Sequence, residues 1–348
     1  MRSPVLARAL RRAAFPRRSA PQSRQHGAVL AAAVVIALVA VGLTATRLLA
    51  SPARPAPPGR AALPARPASY LGVYENGAPA SYQPVTAFGQ AAGRAPNLAG
   101  YFSGWAQPFA AGFARQASAH GAAVLVQIDP TYASVAAIAA GSYDGYLRSF
   151  AASVAAFGRP VVIGFGHEMN ATWYPWGYHH VPPGTFVAAW RHIVTLFRDQ
   201  GAGNVTWLWT INASLGSTGP IADWWPGAGY VTWVGVDGYY YRPRDTFASV
   251  FAPTLGQVRA LTGKPVLLSE TAVGPAADQP AKIGNLFAGM RQSGALGLVW
   301  FDNSQHNGIY HQDWRLEGRP AAVAAFRAGV TRQLAPASRA RLTGAGHG

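Results

Sequence analysis

The chain has 348 residues, half of them hydrophobic, which excludes a disordered protein and leaves room for one large core. Its formal net charge is +16, but residues 1–68 hold eleven Arg, no Lys and no acid, while 69–333 hold sixteen basic and thirteen acidic residues, a balance of +3. The basicity is therefore a tail, not a patch on a folded domain, and no nucleic-acid partner is expected; the absence of cysteine excludes disulfides and thiolate metal sites.

In chain order, residues 1–27 form a basic segment carrying Arg8, Arg11, Arg12, Arg17, Arg18 and Arg24. An uncharged apolar stretch follows at 28–46. As a helix it would span roughly 28 Å, close to the hydrocarbon thickness of a bilayer. Positive residues stay in the cytoplasm, so the C-terminal side would face out. The stretch is longer than a signal-peptide core, which favours an uncleaved signal anchor over a cleaved signal. The expected location is the extracellular face of the membrane, or the medium if the signal is cleaved. Residues 47–68, rich in Pro, Ala and Arg, read as a spacer, and 334–348 as a disordered tail.

Between 69 and 333 the pattern repeats. Short apolar runs lie at 70–74, 98–102, 123–128, 161–166, 205–211, 233–236, 266–269 and 296–301. Ala-rich segments long enough for helices separate several of them, as at 185–200, 247–262 and 280–293, and Gly201, Gly263 and Gly294 stand where helix ends are expected. Strand alternating with helix predicts a parallel sheet, and eight such units predict a (β/α)8 barrel. A doubly wound open sheet is the alternative. It would want a glycine-rich phosphate loop after its first strand, and residues 71–77 have none.

One stretch organises the rest. Residues 161–177 read VVIGFGHEMNATWYPWG: an apolar run, then His167, Glu168, Met169 and Asn170, then Trp173, Tyr174 and Trp176. A zinc-protease helix would need a second His at 171, which is Ala. In a barrel, the strand ends face the active site. They would bring together Glu75, Asp129, His167, Glu168, Asn170, Asn212, Asp237, Tyr239, Glu270, Trp300 and Asp302. Carboxylates, amides and aromatics on one rim make the wall of a carbohydrate cleft. Glu168 and Glu270, on the fourth and seventh strands, would face each other as the acid/base and nucleophile of a retaining glycosidase, with carboxyls about 5–5.5 Å apart. Tyr239 is expected to donate its hydroxyl to Glu270. His306, His311, Asp302 and Asp313 lack a fixed ligand spacing, so neither metal nor cofactor is expected.

GHEMN followed by WYPWG resembles the acid/base signature of glycoside hydrolase family 26, which includes many β-mannanases. WLWTIN at 207–212, VGVDGYY at 234–240 and LLSETAVG at 267–274 resemble its fifth, sixth and seventh strands. The resemblance implies a (β/α)8 barrel, Glu168 as acid/base, Glu270 as nucleophile, His167 and Trp173 near the bond-cleaving subsites, and Tyr239 on the nucleophile. Ala171 departs from a frequent Gly. With Asn170, Trp176, Asp237 and Trp300 these complete the expected substrate contacts. The expected function is endo-hydrolysis of a β-linked polysaccharide, β-1,4-mannan first, by a monomer held at the membrane. A binding protein on an inactive barrel, a glucanase or xylanase, and a transglycosylase acting on exopolysaccharide are the alternatives.

Overall fold

The computed structural model describes residues 63–213, 218–305 and 312–334. The stretch at 28–46 and the tail at 335–348 lie outside the described residues. Among the described residues, no helix is long and apolar enough to cross a membrane.

Eight parallel strands close into a barrel in sequence order, β1 pairing with both β2 and β8. They are β1 (Tyr70–Glu75), β2 (Leu98–Gly104), β3 (Ala123–Asp129), β4 (Val161–Phe165), β5 (Val205–Asn212), β6 (Trp233–Tyr240), β7 (Val266–Val273) and β8 (Gly297–Asp302). Their apolar runs are buried on both faces, as a covered parallel sheet requires. Outward residues such as Val161, Ile163, Trp209 and Trp300 pack under the helices. Inward residues such as Tyr70, Leu98, Leu125, Val162, Leu208, Trp233, Leu267 and Val299 fill the barrel. A fully buried side chain of this size contributes about 1.5–3 kcal/mol, so the two layers together hold the barrel closed.

The helices are α1 (Gln83–Ala92), α2 (Ala111–Ala119), α3 (Val135–Ala139), α4 (Asp144–Phe157), α5 (Pro183–Asp199), α6 (Phe247–Val250), α7 (Ala252–Leu261), α8 (Gln279–Gln292) and α9 (Pro320–Gln333). Between β5 and β6 the described chain makes only a 3₁₀ turn, Ile221–Trp224. That connection carries Gly219, Pro220, Pro226, Gly227 and Gly229, which a helix interior does not tolerate.

Two boundaries differ from the sequence reading. The folded domain begins before residue 69. Leu63 is buried in the barrel-interior cluster, its N–H donates to Thr206 Oγ1 at 3.1 Å, and the Tyr70 hydroxyl donates to the Pro64 carbonyl at 2.7 Å. Leu63 is an apolar side chain in a Pro/Ala/Arg context, and the barrel gives it somewhere to be buried. Strands β6 and β7 also run longer than their apolar cores. Asp237 pairs with Glu270 and Tyr240 with Val273, so Glu270 lies inside β7 rather than at its end. The β6–β7 register slips between Gly235 and Asp237, and the β7–β8 register between Leu268 and Thr271. Such irregularities beside a site re-aim side chains.

Above the apolar layer lies a polar one. Gln127 Nε2 donates to Thr210 Oγ1 at 3.0 Å. Gly164 makes room for it, since a Cβ there would come within 1.9 Å of Gln127 Oε1.

Candidate active site

The fourth strand ends abruptly. Gly166 (φ 54°) and Glu168 (φ 54°) both take the left-handed conformation. Glycine adopts it freely, and at 166 a Cβ would lie 2.9 Å from the Phe186 ring. For glutamate it costs of order 1–3 kcal/mol and persists only where surrounding contacts enforce it. They do so here. The Glu168 N–H donates to the Thr210 carbonyl at 2.9 Å, and the Glu168 carbonyl accepts from Ala171 N–H at 2.9 Å. The turn brings the carboxyl back over the barrel.

Both Glu168 oxygens accept hydrogen bonds: Oε1 from Asn212 Nδ2 at 2.6 Å, Oε2 from Trp173 Nε1 at 2.7 Å. Asn212 is itself aimed. Its N–H donates to Asn170 Oδ1 at 2.8 Å, and Asn170 Nδ2 donates back to the Asn212 carbonyl at 2.9 Å. Asn170 is thus a buried clasp between β4 and β5, not a side chain open to a ligand. Asn204 is likewise buried, its amide donating to the Val154 and Arg159 carbonyls. The three Asn-X-Ser/Thr glycosylation sequons of the sequence, at Asn170, Asn204 and Asn212, therefore begin with buried asparagines that have structural partners.

Across the barrel, Glu270 Oε1 accepts the Tyr239 hydroxyl. The Tyr239 ring is wedged by Trp314, 4.7 Å between centroids, and meets Phe301 edge-on at 6.0 Å. Asp237 Oδ1 accepts from Ser269 Oγ at 2.5 Å, and its Oδ2 has no protein partner among the described residues. His167 Nδ1 lies 2.9 Å from Asp129 Oδ1, and its Nε2 lies 3.0 Å from the Tyr174 hydroxyl.

Burial sets the charges. It raises Glu168, against the lowering pull of His167 and of the Asn212 and Trp173 donors. It raises Glu270 to about 7, helped by the negative charge of Glu168 and opposed by His167 and the Tyr239 hydroxyl. It pushes Asp237 well above the usual carboxylate range, with the charges of Glu270 and Glu168 adding to it. For His167 burial alone would lower the imidazole, but the Asp129 charge and hydrogen bond outweigh it and hold the ring up at about 10. Two carboxyls that feel each other's charge cannot both ionise cheaply, so the pair retains one proton near neutrality.

Seven of the nine expected residues meet in or directly under this cluster: His167, Glu168, Asn170, Trp173, Asp237, Tyr239 and Glu270. Two further expected ligand contacts, beside Asn170, are corrected. Trp176 is buried beneath Tyr174, stacked at 4.4 Å and 8°, and its Nε1 donates to the His167 carbonyl at 2.9 Å. It braces the turn. Trp300 is fully buried on the outer face of β8, 5.1 Å from the Phe326 ring of α9, with Nε1 donating to Asp302 and the Trp314 carbonyl. Strand alternation puts Phe301, not Trp300, on the inward side. Asp129, Asn212 and Tyr174 are further members of the cluster; each stands at a strand end or within the aromatic motif, but residue type alone gives no partner.

Residues 149–287 match the family model for glycosyl hydrolase family 26. The match supports a glycoside hydrolase. The match spans β4 to β7 and contains Glu168 and Glu270. Endoglucanase H of Acetivibrio thermocellus is 27% identical over 263 residues, covering 71% of this chain and 29% of that protein. A β-1,3-xylanase of a Vibrio species is 30% identical over 111 residues, 31% of this chain and 22% of that protein. The chain thus spans less than a third of the length of these curated relatives. Among solved structures, a family 26 β-mannanase from Bacteroides ovatus superposes with a TM-score of 0.57 at 15% identity, over 80% of this chain and 93% of that one. The catalytic domain of an endo-β-1,4-mannanase from Bacillus sp. JAMB-750 gives 0.61 at 15% identity, over 78% and 88%. These likenesses establish the shared barrel.

Proposed function

We propose that this chain is a retaining endo-glycoside hydrolase of a β-linked polysaccharide, with Glu270 as nucleophile and Glu168 as acid/base. The observation that carries it is the pair of buried carboxyls in the turn after β4 and within β7, each held by its own hydrogen-bond donors. Ionised Glu270 would attack the anomeric carbon while the bond to the leaving oxygen breaks and takes the Glu168 proton. The glycosyl ester removes the Glu270 charge. Glu168, now a carboxylate steadied by Asn212 and Trp173, would accept a proton from water as that water displaces Glu270. Tyr239 would hold Glu270 in its ionised form, and half-buried Trp173 would offer an edge to the sugar beside the acid.

β-1,4-Mannan is the first substrate proposed. A β-glucan is the second reading, favoured because the relative matching over 71% of the chain is named an endoglucanase. We further propose that the barrel works outside the cell, tethered by 28–46 or released if that segment is cleaved, as a monomer. Incubation with β-mannan, mixed-linkage β-glucan and β-1,3-xylan, with reducing ends and product anomers followed over time, tests the reading. New chains of intermediate length with retained β-configuration are expected from one of the three. Binding without new reducing ends on any of them would favour a carbohydrate-binding role instead.

A further inference from the structure

Asp129 ends β3, and neither half-reaction described above uses it. Its carboxylate lies against a buried base of the site, His167. His167 is buried, and both of its ring nitrogens have oxygen partners, Asp129 Oδ1 at 2.9 Å and the Tyr174 hydroxyl at 3.0 Å. Tyr174 cannot swing freely, because it is stacked on Trp176, which in turn donates to the His167 carbonyl. The Phe102 ring closes a further side at 5.2 Å. The titratable groups that act on this ring are Asp129 from β3, Tyr174 from the loop after β4, Glu168 next along the chain, Asp237 from β6 and Glu270 from β7. Among the described residues, no Lys or Arg pairs with Asp129, Glu168, Asp237 or Glu270.

We propose that Asp129 is a positioning residue: it keeps His167 a doubly protonated imidazolium, whose charge supports the ionised form of Glu270. This rests on the catalytic reading of the two glutamates. In the imidazolium both nitrogens donate, one to Asp129 and one to the tyrosine oxygen, so the ring is fixed as well as charged. The ion pair has no net charge, but its two ends do not act equally. For both Glu168 and Glu270 the lowering by His167 outweighs the raising by Asp129. Replacing Asp129 by Asn would neutralise both ends and withdraw that support from Glu270.

The test measures imidazole protonation and turnover separately. Nitrogen-detected NMR of the full chain reports the state of each histidine, with His167 assigned by its loss in His167→Gln. Wild-type His167 is expected to stay doubly protonated through pH 8. In Asp129→Asn it is expected to be neutral at pH 7. The acid limb of kcat/KM should then move up by about one pH unit, lowering activity on that limb about tenfold, even for aryl glycosides with acidic leaving groups. Asp129→Glu should restore most of both. A wild-type ring that is neutral at pH 7 overturns the proposal without any variant. So does an unmoved acid limb in folded Asp129→Asn. If no polysaccharide or aryl glycoside is cleaved, the catalytic reading fails, while the wild-type NMR titration still decides the state of His167.

Discussion

At the scale of residues, the two glutamates are distinguished by their donors and by the steps proposed for them. Glu270→Ala would remove the proposed nucleophile, so every substrate should suffer. Glu168→Ala would remove the proposed proton donor and later the base. An aryl glycoside with an acidic phenol should keep its first step, accumulate a glycosyl-enzyme as a burst, and regain turnover with azide as a β-glycosyl azide. Azide rescue of Glu270→Ala to an α-azide, with none for Glu168→Ala, would exchange the roles. Asn212 offers a finer test. Its amide steadies Glu168 as a carboxylate, so Asn212→Ala should cost about 1.5–3 kcal/mol, the usual worth of a hydrogen bond to a charged group. That is roughly 10- to 150-fold in kcat/KM. Because the ionised form loses support, Glu168 should hold its proton to higher pH, and the basic limb of the profile should move up. A uniform loss with an unmoved limb would mean that Asn212 merely holds β5 in place.

At the scale of elements, the barrel seam between β1 and β8 carries its own carboxyl pair. Glu75 stands opposite Asp302 in the register. Burial raises Glu75 to about 9, with the charge and hydrogen bond of Asp302 adding to it. Burial also raises Asp302, to about 6, against lowering by Leu316 N–H, Glu75 and Trp300. Near neutrality Glu75 is thus the protonated partner, donating to Asp302. A folded-state pKa above the unfolded one means stability present below the unfolded value and lost as pH rises through the folded one. For Glu75 that window runs from 4.5 to about 9. In Glu75→Gln the amide still donates to Asp302 but does not titrate. Calorimetry should show the wild-type Tm falling more between pH 6 and 9 than that of the variant. Parallel curves would contradict a shared proton at the seam.

At the scale of the whole molecule, the chain divides its charge from its chemistry. Eleven of its twenty-nine basic residues lie in 1–68, ahead of a nearly balanced barrel. If 28–46 is a signal anchor, full-length protein should sediment with membranes, and the barrel should be open to added protease only from outside. Full-length protein free in the cytoplasm would contradict the anchor, and a soluble form starting near residue 50 would show a cleaved signal.

The sequence by itself determined the barrel, because eight apolar runs separated by helix-length segments have few other ways to bury both faces of a parallel sheet. It also singled out Glu168 as a candidate, since a carboxylate just after such a run has little to do in a core. Glu270, by contrast, lies inside β7. Its run looked finished at 269 because the upper layer of this barrel is polar inside as well as out of the strand ends. Which side chains face inward was settled only by closure. Trp300 and Phe301 are adjacent and both aromatic, and strand alternation sends one behind the wall and the other toward Tyr239. Trp176 is equally a sugar platform by composition, yet stacking on Tyr174 makes it a brace. The partners of Asp129 and Asn212 lie 38 and 44 residues away along the chain. Spacing in the sequence does not encode such pairs. They arise when neighbouring strands meet in register, and that register is a property of the closed barrel.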